Sequence, residues 1–313
     1  MIVKTFDPQT LKEKETITQI ISLLYYDRFY KVGSFEIETT SDKFKINDVI
    51  AFASKGRIRS GIVLKIIEKD NTFSIFGYDL KGIYGFRHIH TPTEYIGTPD
   101  EVLKKMVTEF LKTSERNIEM LQISDNPVPG EEISFTPEQG FLEAAIISVS
   151  TLYEVGTRVD FDLKRLIFRT LKGEDKTAHV AFGRRKRNID TIEYTNDLFN
   201  TYNVGYTKND EGNVVSVGNA KGILRRECYK EKNIEEYLKE KAEVETLRVE
   251  ANELYKYGVD YNLGDYVTVI KGDLYTIKQI TEVKEVHEHG QTSYYPVFGI
   301  EKENPIKKIL KGM

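Results

Sequence analysis

Two histidine pairs are the first residues whose spacing could support chemistry. His88 with His90, and His287 with His289, stand two apart, which on a strand puts both rings on one face. A metal centre needs three or four ligands in a closing geometry, and each pair offers two. Glu288 falls on the face opposite its histidine neighbours, so the expectation is surface or hairpin-loop histidine and no metal. The 49 acidic residues make carboxylate pairs too common for a glycosidase pair to be chosen by spacing. No glycine cluster ends in Lys followed by Ser or Thr, and the nucleophile-elbow spacing Gly-x-Ser-x-Gly is missing, which removes the usual phosphate cradle and the usual hydrolase turn. Arg184, Arg185, Lys186 and Arg187 form one dense basic run. No aromatic residue interleaves it to stack on bases, so it reads as a solvated loop and a candidate contact for an anionic partner, protein or nucleic acid. These residues point to a protein that is not an enzyme and takes no cofactor.

The elements that must carry these residues are strands for the most part. Ser34–Thr39, Asp48–Ala53, Ile58–Ile67 and Thr72–Tyr78 mix alternation with β-branched residues, the pattern of short half-buried strands. Lys69, Asp70 and Asn71 make a turn, because Asp and Asn tolerate left-handed backbone. A helix follows, with Thr98 as N-cap, Pro99 at its first position, Glu101 completing a capping box and an apolar stripe over Val102, Leu103, Met106, Val107, Phe110 and Leu111. Thr136, Pro137 and Gln139 repeat that entry signal ahead of a second stripe, Phe141 to Leu152, with a Pro- and Gly-containing loop near Pro127 to Gly130 between the two. Strand character resumes at Arg158–Asp162, Leu166–Thr170, His179–Phe182 and Ile189–Tyr206. Tyr237, Val244, Leu247, Ala251 and Leu254 fall at spacings of three, four and seven, which predicts a long helix from Ile234 to about Tyr257, interrupted at Glu240 and so packed on its own chain. Tyr266–Lys271, Leu274–Lys284 and Tyr294–Phe298 return to strand.

Bulk properties agree with a β-rich chain. Nineteen tyrosines, sixteen phenylalanines and no tryptophan suit pleated surfaces. With 45 basic against 49 acidic residues the net charge is -4, which weakens a nucleic-acid reading, since phosphate contacts draw affinity from a basic excess. The single cysteine, Cys228, forbids an intrachain disulfide and fits a reducing compartment. No basic start with an apolar run, and no apolar stretch of the roughly 18 residues a span requires, is present, so neither a signal peptide nor membrane insertion is expected.

Several segments, taken together, resemble the ReqiPepy-type gp-thirty-seven-like family of siphophage tail proteins. Arg28, Phe29, Tyr30, Gly33, Ser34, Phe35, Glu36 and Ile37 match its aromatic strand, glycine turn and second strand. Asn47 to Ile50 match its turn into an apolar strand. Gly77, Tyr78, Asp79 and Leu80, then Arg87, stand where it has a glycine and arginine strand end. Tyr261, Leu263, Gly264, Asp265, Val267 and Val269, then Ile280 to Val283, then Pro296, Phe298 and Gly299, are similar to its closing hairpin. The anchors lie at the two ends of the chain, and each has a structural role: Gly33 and Gly264 permit turns, Asp265 can bond its own backbone, Phe35 and Phe298 fill cores.

The resemblance implies an α+β, β-rich fold of two barrel-like antiparallel β domains with an α/β insert, like phage tail hub proteins. It divides into an N-terminal hub domain over 1–93, a helical insert over 94–155, a second β-rich region over 156–232, the long helix over 233–257 and closing hairpins over 258–313. It further implies a structural tail-tip or baseplate hub subunit of a bacteriophage or prophage virion, assembled in the host cytoplasm. A homo-oligomer, with three copies as the expected number, would join the hexameric tail tube to the tip and pass tape-measure protein and DNA. Its expected partners are the distal tail protein, the tape-measure protein and other tail-tip proteins, with lytic activity residing in another protein. Competing readings are a receptor- or carbohydrate-binding tail module, served by exposed tyrosines, and an envelope-polymer hydrolase.

Overall fold

The computed structural model describes residues 1–183, 188–198, 201–209, 211–231, 233–240, 244–251, 254–271 and 274–299. In chain order its main elements are β1 (Val3–Phe6), β2 (Glu13–Ile17), β3 (Ile20–Arg28), β4 (Ser34–Thr39), β5 (Val49–Ser54), β6 (Arg57–Lys69), β7 (Thr72–Asp79), β8 (His88–Ile89), β9 (Tyr95–Gly97), α1 (Pro99–Leu111), β10 (Leu121–Ile123), β11 (Ile133–Phe135), β12 (Gly140–Phe141), α2 (Leu142–Leu152), β13 (Gly156–Phe161) and β14 (Leu166–Leu171). There follow β15 (Ala181–Gly183), β16 (Ile189–Asp197), β17 (Val204–Lys208), β18 (Val214–Val217), β19 (Glu227–Tyr229), α3 (Ile234–Glu240), β20 (Val244–Ala251), β21 (Tyr266–Lys271), β22 (Leu274–Glu288) and β23 (Gln291–Phe298). They form two units, Met1–Thr191 with Val249–Val297, and Ile192–Arg248 with Phe298–Met313.

In the first unit a large mixed sheet runs in the order β2-β1-β5-β6-β7-β4-β3-β22-β23, with β21 added on β22 and β15 parallel to β21. Turn chemistry fixes its register. Asp70 and Asn71 both take left-handed φ, 50° and 62°, and close the β6–β7 hairpin with Lys69 opposite Thr72, as a two-residue turn matched to strand twist requires.

Val3, Ile17, Leu23, Tyr25, Phe35, Ile37, Ile50, Phe52, Val63 and Ile75 share one core with Phe44. Strands from β2 to β3 all contribute to it, so the sheet curls around this face. Strand pairing among the described residues is an open path with β2 at one end, not a closed ring. The physical reason lies in β2, a five-residue edge whose ladder is made with β1.

The other face carries the helical insert. On β5, Ile50 and Phe52 enter the inner core while Val49 and Ala51 join the outer one. A strand covered on both faces reads as a continuous apolar run, as 49–53 do. Helix α1 begins with the expected capping box, the Thr98 hydroxyl accepting from Glu101 N–H and the Glu101 carboxylate accepting from Thr98 N–H. Its stripe packs with α2, β13 and β14. The second helix starts later than its entry signal predicts. Gly140 and Phe141 pair with His88 and Ile89 in a short ladder, so Thr136 and Pro137 precede a strand, and α2 begins at Leu142 with Phe141 as a cap lacking any side-chain bond.

In the second unit β17 pairs antiparallel with β18 and parallel with β19. Helix α3 lies on β17: a Cβ on Gly205 would stand 2.2 Å from Ile234, which is why only glycine fits there. The long helix expected over 233–257 does not form. Helix ends at Glu240 and Val244–Ala251 is strand. The three-and-four spacing across 237–254 was outweighed by the β-branched Val244, Thr246 and Val249, which lose side-chain freedom in a helix and fit a pleat.

Candidate functional site

The inner face of the curled sheet changes character toward one end. Along β3 the buried positions are Leu23, Tyr25 and Asp27; along β6 they include Arg59, Gly61 and Val63; toward the end of β22 they include Val283, Glu285 and His287. Each charge thus keeps the two-residue period of the apolar residues before it, and the curl brings the three strands together.

Arg59 lies at the centre. Its Nη1 donates to Asp27 Oδ2 at 2.5 Å and its Nε to Glu285 Oε2 at 3.1 Å. The Tyr257 hydroxyl donates to Asp27 Oδ2 at 3.3 Å, and the guanidinium lies over the Tyr25 and Tyr257 rings at 5.4 and 5.8 Å. The second Glu285 oxygen meets His287 Nε2 at 2.5 Å, and the Thr292 hydroxyl lies 2.8 Å from His287 Nδ1. Tyr294 and Ser54 close this side with a 2.7 Å hydroxyl contact. Arg59 and Asp27 are 5% exposed and Glu285 is 0% exposed, so ionic attraction is little screened.

Burial alone would raise the carboxyls and lower the guanidinium. For Asp27 the charges of Arg59, Lys81 and Arg158 reverse that effect and hold it below the usual carboxylate range. For Glu285 the His287 hydrogen bond and the Arg59 charge do the same. Arg59 is pushed up, burial being outweighed by Asp27, Tyr257 and Glu285. A general acid or base works best with a pKa near the operating pH, whereas these carboxyls are fixed as anions. The cluster binds strands to one another. Two clefts border it, one of about 600 Å³ lined by Met1, Ile2, Ile20, Ile21 and the 287–292 turn, the other of about 320 Å³ between Arg57–Ser60 and Arg158–Asp162.

The residues singled out in the sequence are placed as follows. Phe35 lies over Gly61 and Gly77, where added Cβ atoms would stand 2.6 Å from its ring. Phe29 lies on Gly156 and Gly264 in the same way, at 2.4 and 2.3 Å, and Gly264 has φ +96°. Gly33 abuts Asp79, whose amide donates to the Gly33 carbonyl at 3.0 Å, and Asp79 caps the 3-10 turn Leu80–Phe86 by accepting from Lys81 N–H. Burial raises the Asp79 carboxyl, the Lys81 charge opposing. Arg28 pairs with Glu282 at 2.5 Å. Asp265 accepts from Glu174 and Asn262 N–H at 2.9 and 2.8 Å. Phe298 is buried and Gly299 has φ +80°. Arg87 stands apart from these groups, beside Phe86. The run Arg184, Arg185, Lys186 and Arg187 lies outside the described residues.

The histidine pairs divide. His88 and His90 do share a face, their rings stacked at 4.8 Å. His287 and His289 do not: His289 takes left-handed φ in the hairpin turn and is exposed, while His287 is buried against Glu285. Reading His287 as a surface residue overlooked that Glu285, two positions earlier, shares its face. Asp27, Arg59, Tyr257 and Glu285 were not singled out either, although Arg59 keeps the parity of Val63 within the expected strand Ile58–Ile67.

No family model matches the chain, and no curated protein sequence matches it. Solved structures do. The crystal structure of prophage tail protein gp18 from Listeria monocytogenes EGD-e superposes with a TM-score of 0.59 at 16% identity, covering 99% of this chain and 98% of that one. The tail protein from Neisseria meningitidis MC58 gives 0.58 at 13% identity over 96% of both chains. The 43 kDa tail protein of prophage MuSo2 from Shewanella oneidensis gives 0.56 at 11%, over 95% and 96%. The fold is tail-protein-like. At such identities the likeness lies in the arrangement of elements, and it extends through the middle of the chain, where the sequence anchors were sparse.

Proposed function

We propose that the chain is a structural, non-catalytic subunit of a tail-tip or baseplate hub. Three copies form a ring that joins the hexameric tail tube to the tip and lets tape-measure protein and DNA pass, with the distal tail protein and other tip proteins as neighbours. The observation that carries this reading is the end-to-end match to three tail proteins, each covered over at least 96% of its own length. The open edge at β2 supports it, because an unpaired edge invites a neighbouring chain; copies around an axis would complete the barrel-like rim. A net charge of -4 disfavours adhesion of phosphates moving through a lumen. The basic run Arg184–Arg187 remains a candidate contact for an acidic neighbour.

A receptor- or carbohydrate-binding role has one observation in its favour, the exposure of Tyr78, Phe141, Tyr229 and Tyr275 at 48%, 59%, 50% and 65%. Negative-stain imaging of tail tips, with and without antibody against this chain, tests the hub reading. An annulus labelled by the antibody is the expected result. Label confined to fibres or to the particle periphery would move the chain to the receptor-binding class.

A further inference from the structure

In the connection from β18 to β19 the apolar residues point outward. Ile223 is 98% exposed and Leu224 66%, at the apex of the turn Gly222–Leu224. The apex is nevertheless held in place. Arg225 N–H donates to the Gly222 carbonyl at 3.1 Å, and Arg225 Nη1 donates to the Ala220 carbonyl at 2.9 Å. The Asn203 side-chain amide donates to the Leu224 carbonyl at 2.7 Å and accepts from Arg226 N–H at 2.8 Å. Arg225 is itself fixed by Glu227 and by the Tyr206 hydroxyl. Two aliphatic side chains are thus kept in water by a loop whose carbonyls at Ala220, Gly222 and Leu224 already have donors. Lys221 and Arg226 flank the apex, and among the described residues neither has a carboxylate in an ion pair. Glu227 answers Arg225, so the stretch 220–227 keeps a charge of +2. The acidic Glu211 lies in the turn at the opposite end of the β17–β18 ladder, where Lys208 faces Val214.

We propose that this loop seats Ile223 and Leu224 in the headgroup region of an anionic lipid surface. Two side chains on a convex apex give a protein partner little area. The same two side chains flanked by cations combine apolar burial with attraction to anionic headgroups. The backbone points the same way. A segment entering an apolar medium needs its polar groups paired within the protein, and three carbonyls of this loop are paired. The net charge of -4 on the whole chain does not oppose the contact, because charges farther than about 10 Å from the surface are screened at ~0.1 M salt. The contact is peripheral, one turn deep, and does not depend on the hub reading.

The chain has no tryptophan, so Ile223→Trp introduces a single indole at a position whose exposure spares the fold. The full chain carrying it is mixed with vesicles of phosphatidylcholine and phosphatidylglycerol in equal parts, and with vesicles of phosphatidylcholine alone. Tyr275→Trp, at a position 65% exposed in the other unit, is the control. On the anionic vesicles the Ile223→Trp emission is expected to shift to the blue and to be quenched by brominated acyl chains, while Tyr275→Trp stays fixed. In co-flotation with the same vesicles, Lys221→Gln combined with Arg226→Gln should weaken binding about tenfold or more, and Ile223→Ser combined with Leu224→Ser by as much. Ile223→Trp emission that ignores anionic vesicles would leave the apex to a protein pocket and overturn the proposal. Equal shifts on the two kinds of vesicle, or co-flotation indifferent to the paired serine substitutions, would overturn it as well.

Discussion

Replacing Arg59 with methionine keeps an unbranched side chain out to the level of the arginine Nε and removes the cation that Asp27 and Glu285 share at 2.5 and 3.1 Å. Both carboxylates then stay inside the curled sheet, 5% and 0% exposed, and breaking a buried pair in this way costs about 3–5 kcal/mol, because the abandoned charge keeps its desolvation penalty. For a unit of this size that amounts to a loss of about 6–20 °C in Tm at neutral pH. The pH dependence makes the test sharper. In the parent protein both carboxyls are held below their ordinary range, so their contribution is fully present above about pH 4 and is lost as pH falls through the folded values. Without Arg59, each carboxyl loses an attraction that opposes burial, although the His287 hydrogen bond still acts on Glu285 and the Lys81 and Arg158 charges on Asp27. Their pKa values rise, and protonation now relieves the folded state. The gap in stability between parent and Arg59→Met should therefore narrow from pH 7 to pH 5. Urea titrations at the two pH values, followed by tyrosine fluorescence, measure it, since Tyr25 and Tyr257 flank the guanidinium. A variant within about 1 kcal/mol of the parent at pH 7, the range of an exposed pair, or a gap that widens in acid, would refute this account of the cluster.

Two further perturbations follow from the same geometry. Gly264→Ala places a Cβ 2.3 Å from the Phe29 ring at φ +96°, and overpacking with backbone strain should cost about 1–3 kcal/mol, read as a lower urea midpoint with an unchanged slope. Glu143 is pushed up by burial, with the Asp79 charge adding to it. Its folded pKa lies above the unfolded one, so its ionised form weighs against the fold as pH rises through the folded value, and Glu143→Gln should raise the thermal midpoint more at pH 8 than at pH 5.

Legibility in the sequence tracked the distance between interacting residues. The strand Ser34–Thr39, the Asp70–Asn71 turn and the Thr98–Glu101 capping box are local events governed by two-residue alternation, left-handed tolerance and a three-residue reach, and all were readable. The late start of α2 depends on Phe141 pairing with His88, 53 positions away, and the end of α3 at Glu240 could not be told from apolar spacing alone. The motif glycines were readable as turns. Their actual service, as floors for Phe29 and Phe35, required partners such as Gly156 and Gly61 from other strands.

The ion cluster lies at the far end of that scale, since Arg59 and Glu285 are 226 positions apart. One consequence concerns how β22 finds its register on β3. The ladder sets Val283 opposite Asp27 and Glu285 opposite Tyr25. A slip of one residue would turn Glu285 and His287 outward and carry Lys284 and Val286 inward, because side chains alternate faces with period two. In the slip that brings Lys284 to the place of Glu285, Val286 takes the place of His287 opposite Leu23, so an apolar residue still faces inward there. Arg59 penalises the slip strongly: Lys284 would arrive where an anion is required, leaving two buried cations against Asp27 alone. A strand as long as β22, at 15 residues, offers many near-matching registers, and a charge buried among aromatic rings singles out one of them.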